Sequence, residues 1–238
     1  MISHEHRCVF VHIPKVAGQS IETYFLSALG LDWASRAPLL LRPRCSVDPV
    51  EAPDVLAHLT ASDYTRWKYI SEELFRSYFS FSFVRDPFSR VVSMYRYLGY
   101  ERVCTFGDFV QRILPGRLWV SMYYFVRPQH EFVMAADGRV LVDYIGKLER
   151  IDDDFASVAR SLGFDRGELP RVNVSDNSGA RTGRTPVVRR VFEGRRLTAP
   201  RKADHWKKYY TPSIVSAVVE LYGGDFEAFG YDREVLSG

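Results

Sequence analysis

The chain has 238 residues, 46% of them hydrophobic and 26% charged, with a formal net charge of +3. That length buries a full core as one domain, and the mild positive balance permits an anionic ligand without arguing for nucleic acid. Cys8, Cys45 and Cys104 form neither a zinc spacing nor a disulfide framework, which fits a reducing compartment.

No apolar run approaches the roughly 20 residues of a membrane span, and the residues after Met1 are no signal peptide. The expected location is therefore the cytoplasm, an anchor outside this sequence aside, with no membrane partner. His4 and His6 are expected in a fraying terminus. The stretch from Cys8 begins with alternating apolar residues and has no Gly or Pro before Pro14, so Arg7 to Ile13 reads as a buried strand. Pro14, Lys15 and Gly18 break it. Ile21, Tyr24, Phe25, Ala28 and Leu29 then recur at helical spacing. A strand, a turn with one Lys and a helix start together make an anion cradle, because helix N–H groups, the positive end of the dipole and an ammonium converge. The same residues also suit a βα turn with a solvated Lys.

Residues 31 to 57, with Pro38, Pro43, Pro49 and Pro53, read as a surface excursion. Thr60 or Ser62 is placed to cap a short helix running to Trp67. Phe79, Phe81 and Phe83 alternate with serines through Val84, a strand signature. Asp86 and Pro87 are a favoured N-cap and first helical residue, so a helix starts there, with Val91, Val92, Tyr95 and Leu98 on its apolar face. Its Arg85 ends the second strand as Lys15 follows the first.

Phe106 to Leu114 reads as a helix stopped by Pro115-Gly116. Residues 131–135 and 139–143 flank Ala-Asp-Gly as a hairpin. Ile151, Phe155, Val158, Ala159 and Leu162 mark a helix capped by Asp152 or Asp153 and closed by Gly163. Residues 173 to 203 read as an Arg-rich loop, with 176–203 expected to be a mobile basic loop, and Thr211-Pro212 opens a last helix. Strands alternating with helices imply an α/β fold with a mostly parallel central sheet flanked by helices.

The Lys15 turn is not a nucleoside-triphosphate P-loop, which places Gly-Lys-Ser/Thr after four residues and a Gly. Ile13-Pro-Lys-Val-Ala-Gly-Gln-Ser-Ile21 and Phe81-Ser-Phe-Val-Arg-Asp-Pro-Phe-Ser-Arg-Val-Val-Ser-Met-Tyr95 resemble the sulfotransferases. The likeness is to the family-2 carbohydrate type, with bacterial relatives. It continues through Ala57-His-Leu-Thr, Arg127-Pro-Gln-His-Glu-Phe-Val, Ile145-Gly-Lys-Leu-Glu and Asp225-Phe-Glu-Ala-Phe-Gly-Tyr-Asp.

The resemblance implies a single P-loop-like domain over residues 1–238 that uses 3′-phosphoadenosine-5′-phosphosulfate as donor and releases adenosine 3′,5′-bisphosphate. It implies that Lys15, Ala17, Gly18, Gln19 and Ser20 hold the 5′-phosphosulfate, and that Arg85 and Ser93 hold the 3′-phosphate. An Arg grips phosphate bidentately; its alternative is an ion pair with a neighbouring Asp. A Ser on a helix can equally bond its own backbone. The family usually carries Thr where Val16 and Gln19 stand, so donor binding is expected to be weaker or reshaped, and a non-catalytic nucleotide- or polyanion-binding module is the reading from another class.

His58 matches the family's His before the Phe-rich strand and is implied as the general base, with Lys15 as catalytic cation. A loop histidine satisfied by backbone groups is the plain alternative. His12 is next in line, and His130 and His205 are candidates for the acceptor cleft. No His/Cys/Asp cluster has metal spacing, and no metal is expected. The implied acceptor is a hydroxyl, a saccharide first and a small molecule or tyrosyl second.

The run from Arg181 to Lys202 serves as a solvated loop, an arm on the nucleotide or a site for an acidic acceptor; it lacks the interleaved aromatics of a nucleic-acid surface. Trp206, Tyr209 and Tyr210 at helical spacing are expected in the core, and Trp119, Tyr123 and Tyr124 near the acceptor.

Overall fold

A computed structural model describes residues 1–36, 38–39, 58–165, 167–170 and 206–235. Most of the excursion after the first helix, the Arg181–Lys202 run and His205 lie outside the described residues.

Among the described residues four strands form one sheet in the order β1-β2-β3-β4: β1 Ile2–Ser3, β2 Cys8–Val11, β3 Phe79–Val84 and β4 Tyr144–Lys147. β1 runs antiparallel to β2, while β2, β3 and β4 are parallel. The register sets Val11 beside Ser82 and Val84 beside Lys147, so β2 and β3 finish close together at one sheet edge. In parallel sheets ligands bind outside such carboxyl ends.

All of β2 is buried, and so is β3 beyond Phe79. The serines between the phenylalanines are therefore not a solvent face. Ser82 Oγ donates to Val11 O at 2.7 Å, and the N–H and Oγ of Ser80 both reach Asp143 Oδ2 at 2.7 Å. A buried hydroxyl needs such a partner. Phe10 and Phe81 stack at 5.1 Å across the strands. β4 carries Gly146 because a Cβ there would meet the Phe83 ring at 2.4 Å.

α1 (Gly18–Ala28) links β2 to the rest and buries Ile21, Phe25 and Leu26. α2 (Ala61–Arg66) starts at Thr60, whose side chain accepts from Asp63 N–H while Asp63 answers Thr60 N–H, a full capping box. α3 (Glu72–Ser77) leads into β3, and α4 (Pro87–Tyr97) follows it.

The next stretch departs from expectation. Pro115-Gly116 does not end the helix: α5 (Phe106–Asp108) runs into a π-helical segment, Phe109–Leu118, and on into α6 (Trp119–Ser121). A wider π turn eases the clash a proline ring makes with the carbonyl four residues back in an α-helix. α7 is Tyr123–Val126 and α8 His130–Val133. The expected hairpin shrinks to one antiparallel bridge, Met134 with Val140. The reason is Asp225, whose carboxylate accepts from the N–H groups of Gln129 and His130 and so starts a helix where a strand was expected.

α9 (Ile151–Ser161) begins at Arg150 without a side-chain cap; Asp152 and Asp153 lie inside its first turn and favour the dipole from there. α10 (Pro212–Phe229) buries Ile214, Val218, Tyr222 and Phe226 along one stripe.

The described residues form two apolar clusters. One surrounds the sheet, α1 and α9, and the other joins α4, the π segment and α10. Trp206, Tyr209 and Tyr210 pack into the second, as their spacing indicates. The terminus is not frayed: His4 bonds Tyr78 Oη at 2.9 Å, and His6 bonds Ser3 Oγ and lies against Phe25 and Phe164. Among the described residues no helix is long and apolar enough to cross a membrane.

Candidate active site

From His12 to Ala17 the chain turns out of β2, and α1 starts at Gly18. Lys15 (φ 73°) and Ala17 (φ 64°) both sit in the left-handed region. Such residues turn successive N–H groups toward one side, the backbone concavity that binds anions. No side chain caps α1, and no described residue accepts from the N–H groups of Ala17, Gly18 or Gln19. Ser20 N–H is turned back to Ala17 O at 2.9 Å. The helix start is thus left open to a ligand.

Gly18 itself has a packing cause. A Cβ there would lie 2.0 Å from His12 Nε2. The imidazole is held in that place by Glu22, whose Oε1 is 2.7 Å from His12 Nδ1. Burial opposes ionisation of Glu22, but the neighbouring His12 and the N-terminal ammonium outweigh it and keep the carboxyl below its usual range. Val16 is fully buried in the core, so it offers the turn its main chain; Gln19 is exposed.

Arg90 fastens the turn from behind. It is 1% exposed, and its guanidinium donates to Pro14 O at 3.2 Å, Arg127 O at 3.0 Å and Phe125 O at 3.4 Å. A buried cation spread over three carbonyls fixes those three backbones together.

The second turn is built differently. Asp86 Oδ1 accepts Ser89 N–H at 2.7 Å, and Pro87 fills the first helical position. The start of α4 is thereby closed, and Arg85 is what this turn presents. Arg85 Nε donates to Ser89 Oγ at 2.7 Å and Nη1 to Lys15 O at 3.3 Å; Glu149 and Asp86 lie near enough to favour its charge, without a direct ion pair among the described residues. Ser93 stands one turn beyond Ser89, half-buried, its Oγ without a partner among the described residues.

His58 also has positive φ, at 68°. Its Nδ1 lies 3.1 Å from His12 O. A carbonyl only accepts, so the proton is on Nδ1 and the lone pair on Nε2. Burial, then His12 beside it, holds the imidazole well below its usual pKa and hence neutral near pH 7. The His58 ring meets His12 edge-on at 4.7 Å and Phe125 at 5.9 Å. Phe125 stacks on Tyr97 at 5.6 Å, and Lys15 Nζ rests 3.8 Å over the Tyr97 ring. Burial, then Arg85, pushes the Lys15 ammonium down to about 7.

Lys15, Arg85 and His58 are thus linked through two main-chain carbonyls, His12 O and Lys15 O, beside an uncapped helix start. Sequence reasoning missed Glu22, Ser89, Arg90, Tyr97 and Gln129. Ser89 was findable, one helical turn after Arg85; the others are brought in by tertiary contacts.

His130 does not join this group: its Nδ1 bonds Asp225 Oδ1 at 2.8 Å, and it opens on a separate cavity of about 490 Å³ with Glu131, Met134 and Glu227. Tyr123 bonds Glu131, and Trp119 packs on Tyr123 and Tyr222.

The family profile described as "Sulfotransferase family" matches residues 1–232. The chain belongs to the sulfotransferase family. Among its relatives, carbohydrate sulfotransferase 11 of Rattus norvegicus is 31% identical over 99 residues, which is 40% of this chain and 25% of that protein. The Mus musculus protein of the same name matches equally. An uncharacterized protein of Archaeoglobus fulgidus is 28% identical over 117 residues, 47% of this chain and 90% of the relative. The chain thus aligns with about a quarter of the length of the carbohydrate sulfotransferases it matches. No solved structure matches it.

Proposed function

We propose that this sulfotransferase acts as one domain and moves the sulfuryl group of 3′-phosphoadenosine-5′-phosphosulfate to a hydroxyl of a saccharide acceptor. The observation that carries the reading is the hydrogen bond from Arg85 to the carbonyl of Lys15. It draws a second cationic arm to the open start of α1, which suits a nucleotide with anions at two ends. The residues fit that donor. The N–H groups of Ala17, Gly18 and Gln19, with Ser20 and the Lys15 ammonium, face the 5′-phosphosulfate. Arg85, with Ser93 one turn beyond its Ser89 partner, takes the 3′-phosphate. The buried Val16 side chain supports retained binding, since a cradle made of main-chain groups does not depend on that position.

The acceptor hydroxyl loses its proton to His58 Nε2 as its oxygen bonds sulfur. The bond from sulfur to the 5′-phosphate oxygen breaks in line, and Lys15 meets the charge left on that oxygen. Adenosine 3′,5′-bisphosphate and the sulfate ester are the products. His12 O keeps the proton of neutral His58 on Nδ1, so the lone pair is on Nε2 before the acceptor arrives. A saccharide acceptor rests on the likeness to carbohydrate sulfotransferase 11.

Transfer from radiolabelled donor to a library of hydroxyl acceptors tests the proposal. The expected result is labelled product with a saccharide, reduced about 10²–10⁴-fold in His58→Ala with nucleotide affinity near that of the wild type. Donor binding without transfer to any acceptor refutes the enzyme, and absence of adenosine 3′,5′-bisphosphate binding refutes the donor site.

A further inference from the structure

Beyond Val84 the β-ladder stops, and both main-chain polar groups of Arg85 are bonded by one side chain. Arg85 N–H donates to Gln129 Oε1 at 2.9 Å, and Gln129 Nε2 donates to Arg85 O at 2.7 Å. A carboxamide used in both directions imitates a neighbouring strand for a single residue. It fixes the peptide planes on either side of the Arg85 Cα, and with them the direction of the Cα–Cβ bond.

Gln129 is itself locked. It is 0% exposed, its N–H donates to Asp225 Oδ2 at 2.8 Å, and its Nε2 lies 3.4 Å from the same oxygen. Asp225, on α10 and also 0% exposed, further receives the N–H of His130 at 2.9 Å and the His130 ring at 2.8 Å. A carboxylate fully inside the protein is held there by such a set of donors. The chain of bonds therefore runs from a helix near the end of the sequence to the second cationic arm of the site.

We propose that Gln129, anchored by Asp225, is the positioning residue that aims Arg85 at the 3′-phosphate of the donor. The proposal rests on the nucleotide site described above. It assigns to the Arg127-Pro-Gln-His stretch the ability to distinguish a 3′-phosphorylated nucleotide from its 5′-phosphate analogue, without touching either. Gln129 has no part in the chemistry of transfer.

The test is the ratio of affinities for adenosine 3′,5′-bisphosphate and adenosine 5′-phosphate, measured by titration calorimetry. In Gln129→Met, whose side chain has similar length and no hydrogen-bonding amide, the ratio falls about tenfold while affinity for the 5′-phosphate stays within about twofold. Gln129→Glu adds a pH signature. The charged groups around that position are Asp225, His130, Arg85, Arg90, Glu149 and Asp86. Asp225 opposes a second carboxylate beside it, so the introduced carboxyl binds a proton readily. Protonated, it offers one acceptor and one donor in the places of the amide. The ratio, taken relative to the wild type at the same pH, is lost at high pH and recovers as pH falls.

An unchanged ratio in Gln129→Met overturns the proposal. So does equal weakening of both nucleotides without recovery in Gln129→Glu at low pH, because that is the mark of a merely structural residue. If the methionine variant does not fold, the glutamate variant carries the test. A wild type that shows no preference for the 3′-phosphate refutes the nucleotide site instead, and the two failures are distinguishable.

Discussion

The two strand–turn–helix units share a shape and differ in how their helices begin. α4 starts on Asp86, which accepts Ser89 N–H, with Pro87 at the first position. Its backbone donors are satisfied from within, so that turn contributes a side chain, Arg85. α1 starts on Ala17 with no side-chain cap, and its donors stay open. One unit thus offers backbone and the other a guanidinium, and the bond from Arg85 to Lys15 O joins them. A helix start that lacks a cap is less stable by about 1 kcal/mol than one that has it, and here that deficit falls where the proposed anion sits.

The largest expected effect comes from the groups at the reacting atoms. Lys15→Met should cut turnover about 10²–10³-fold, as loss of a charge-stabilising donor does, and a turnover near the wild-type value would place the catalytic cation elsewhere. Gly18→Ala comes next. It drives a methyl group into the His12 ring, which should cost about 1–3 kcal/mol of stability in denaturant melts and displace the start of α1, weakening nucleotide binding with it. Full stability would mean that His12 is free to move.

Asp86→Ala removes a cap from the helix whose N–H groups hold no ligand. Stability should fall by about 1 kcal/mol, with nucleotide affinity retained within about threefold. Loss of binding far beyond loss of stability would break the contrast between the two helix starts.

The smallest effect is a proton count. The Lys15 ammonium is lowered to about 7 in the free protein. A bound dianion favours the charged amine and raises its pKa. Below about pH 7 the amine is already charged and nothing is taken up; above it, binding of adenosine 3′,5′-bisphosphate should take up to about one proton. Calorimetry at about pH 8 in two buffers of different ionisation enthalpy measures this. Lys15→Arg, always charged, should abolish the uptake; persistence in that variant would assign the proton to another group.

The sequence made the order of elements legible where local rules act alone. Asp86-Pro87 announces α4, Thr60 announces α2, and the alternating phenylalanines announce β3. It misled where a distant group decides. Asp225 converts residues 130–133 into a helix start from 95 positions away, and a π-helical segment carries Pro115 through what looked like a stop.

The candidate site follows the same division. Lys15, Arg85 and His58 stand out because their motifs are contiguous. Glu22, Arg90 and Gln129 do not, because their partners His12, Pro14 and Arg85 are set by the fold. Val16, where the resemblance implies a missing hydroxyl, lies fully buried in the core, a placement that the sequence alone did not show.

A crystal structure with adenosine 3′,5′-bisphosphate tests the central claim most directly. The expected result is the 5′-phosphate on the N–H groups of Ala17, Gly18 and Gln19 with Lys15 drawn from the Tyr97 ring, and the 3′-phosphate on the Arg85 guanidinium. A nucleotide bound away from α1, or one whose 3′-phosphate avoids Arg85, would contradict it.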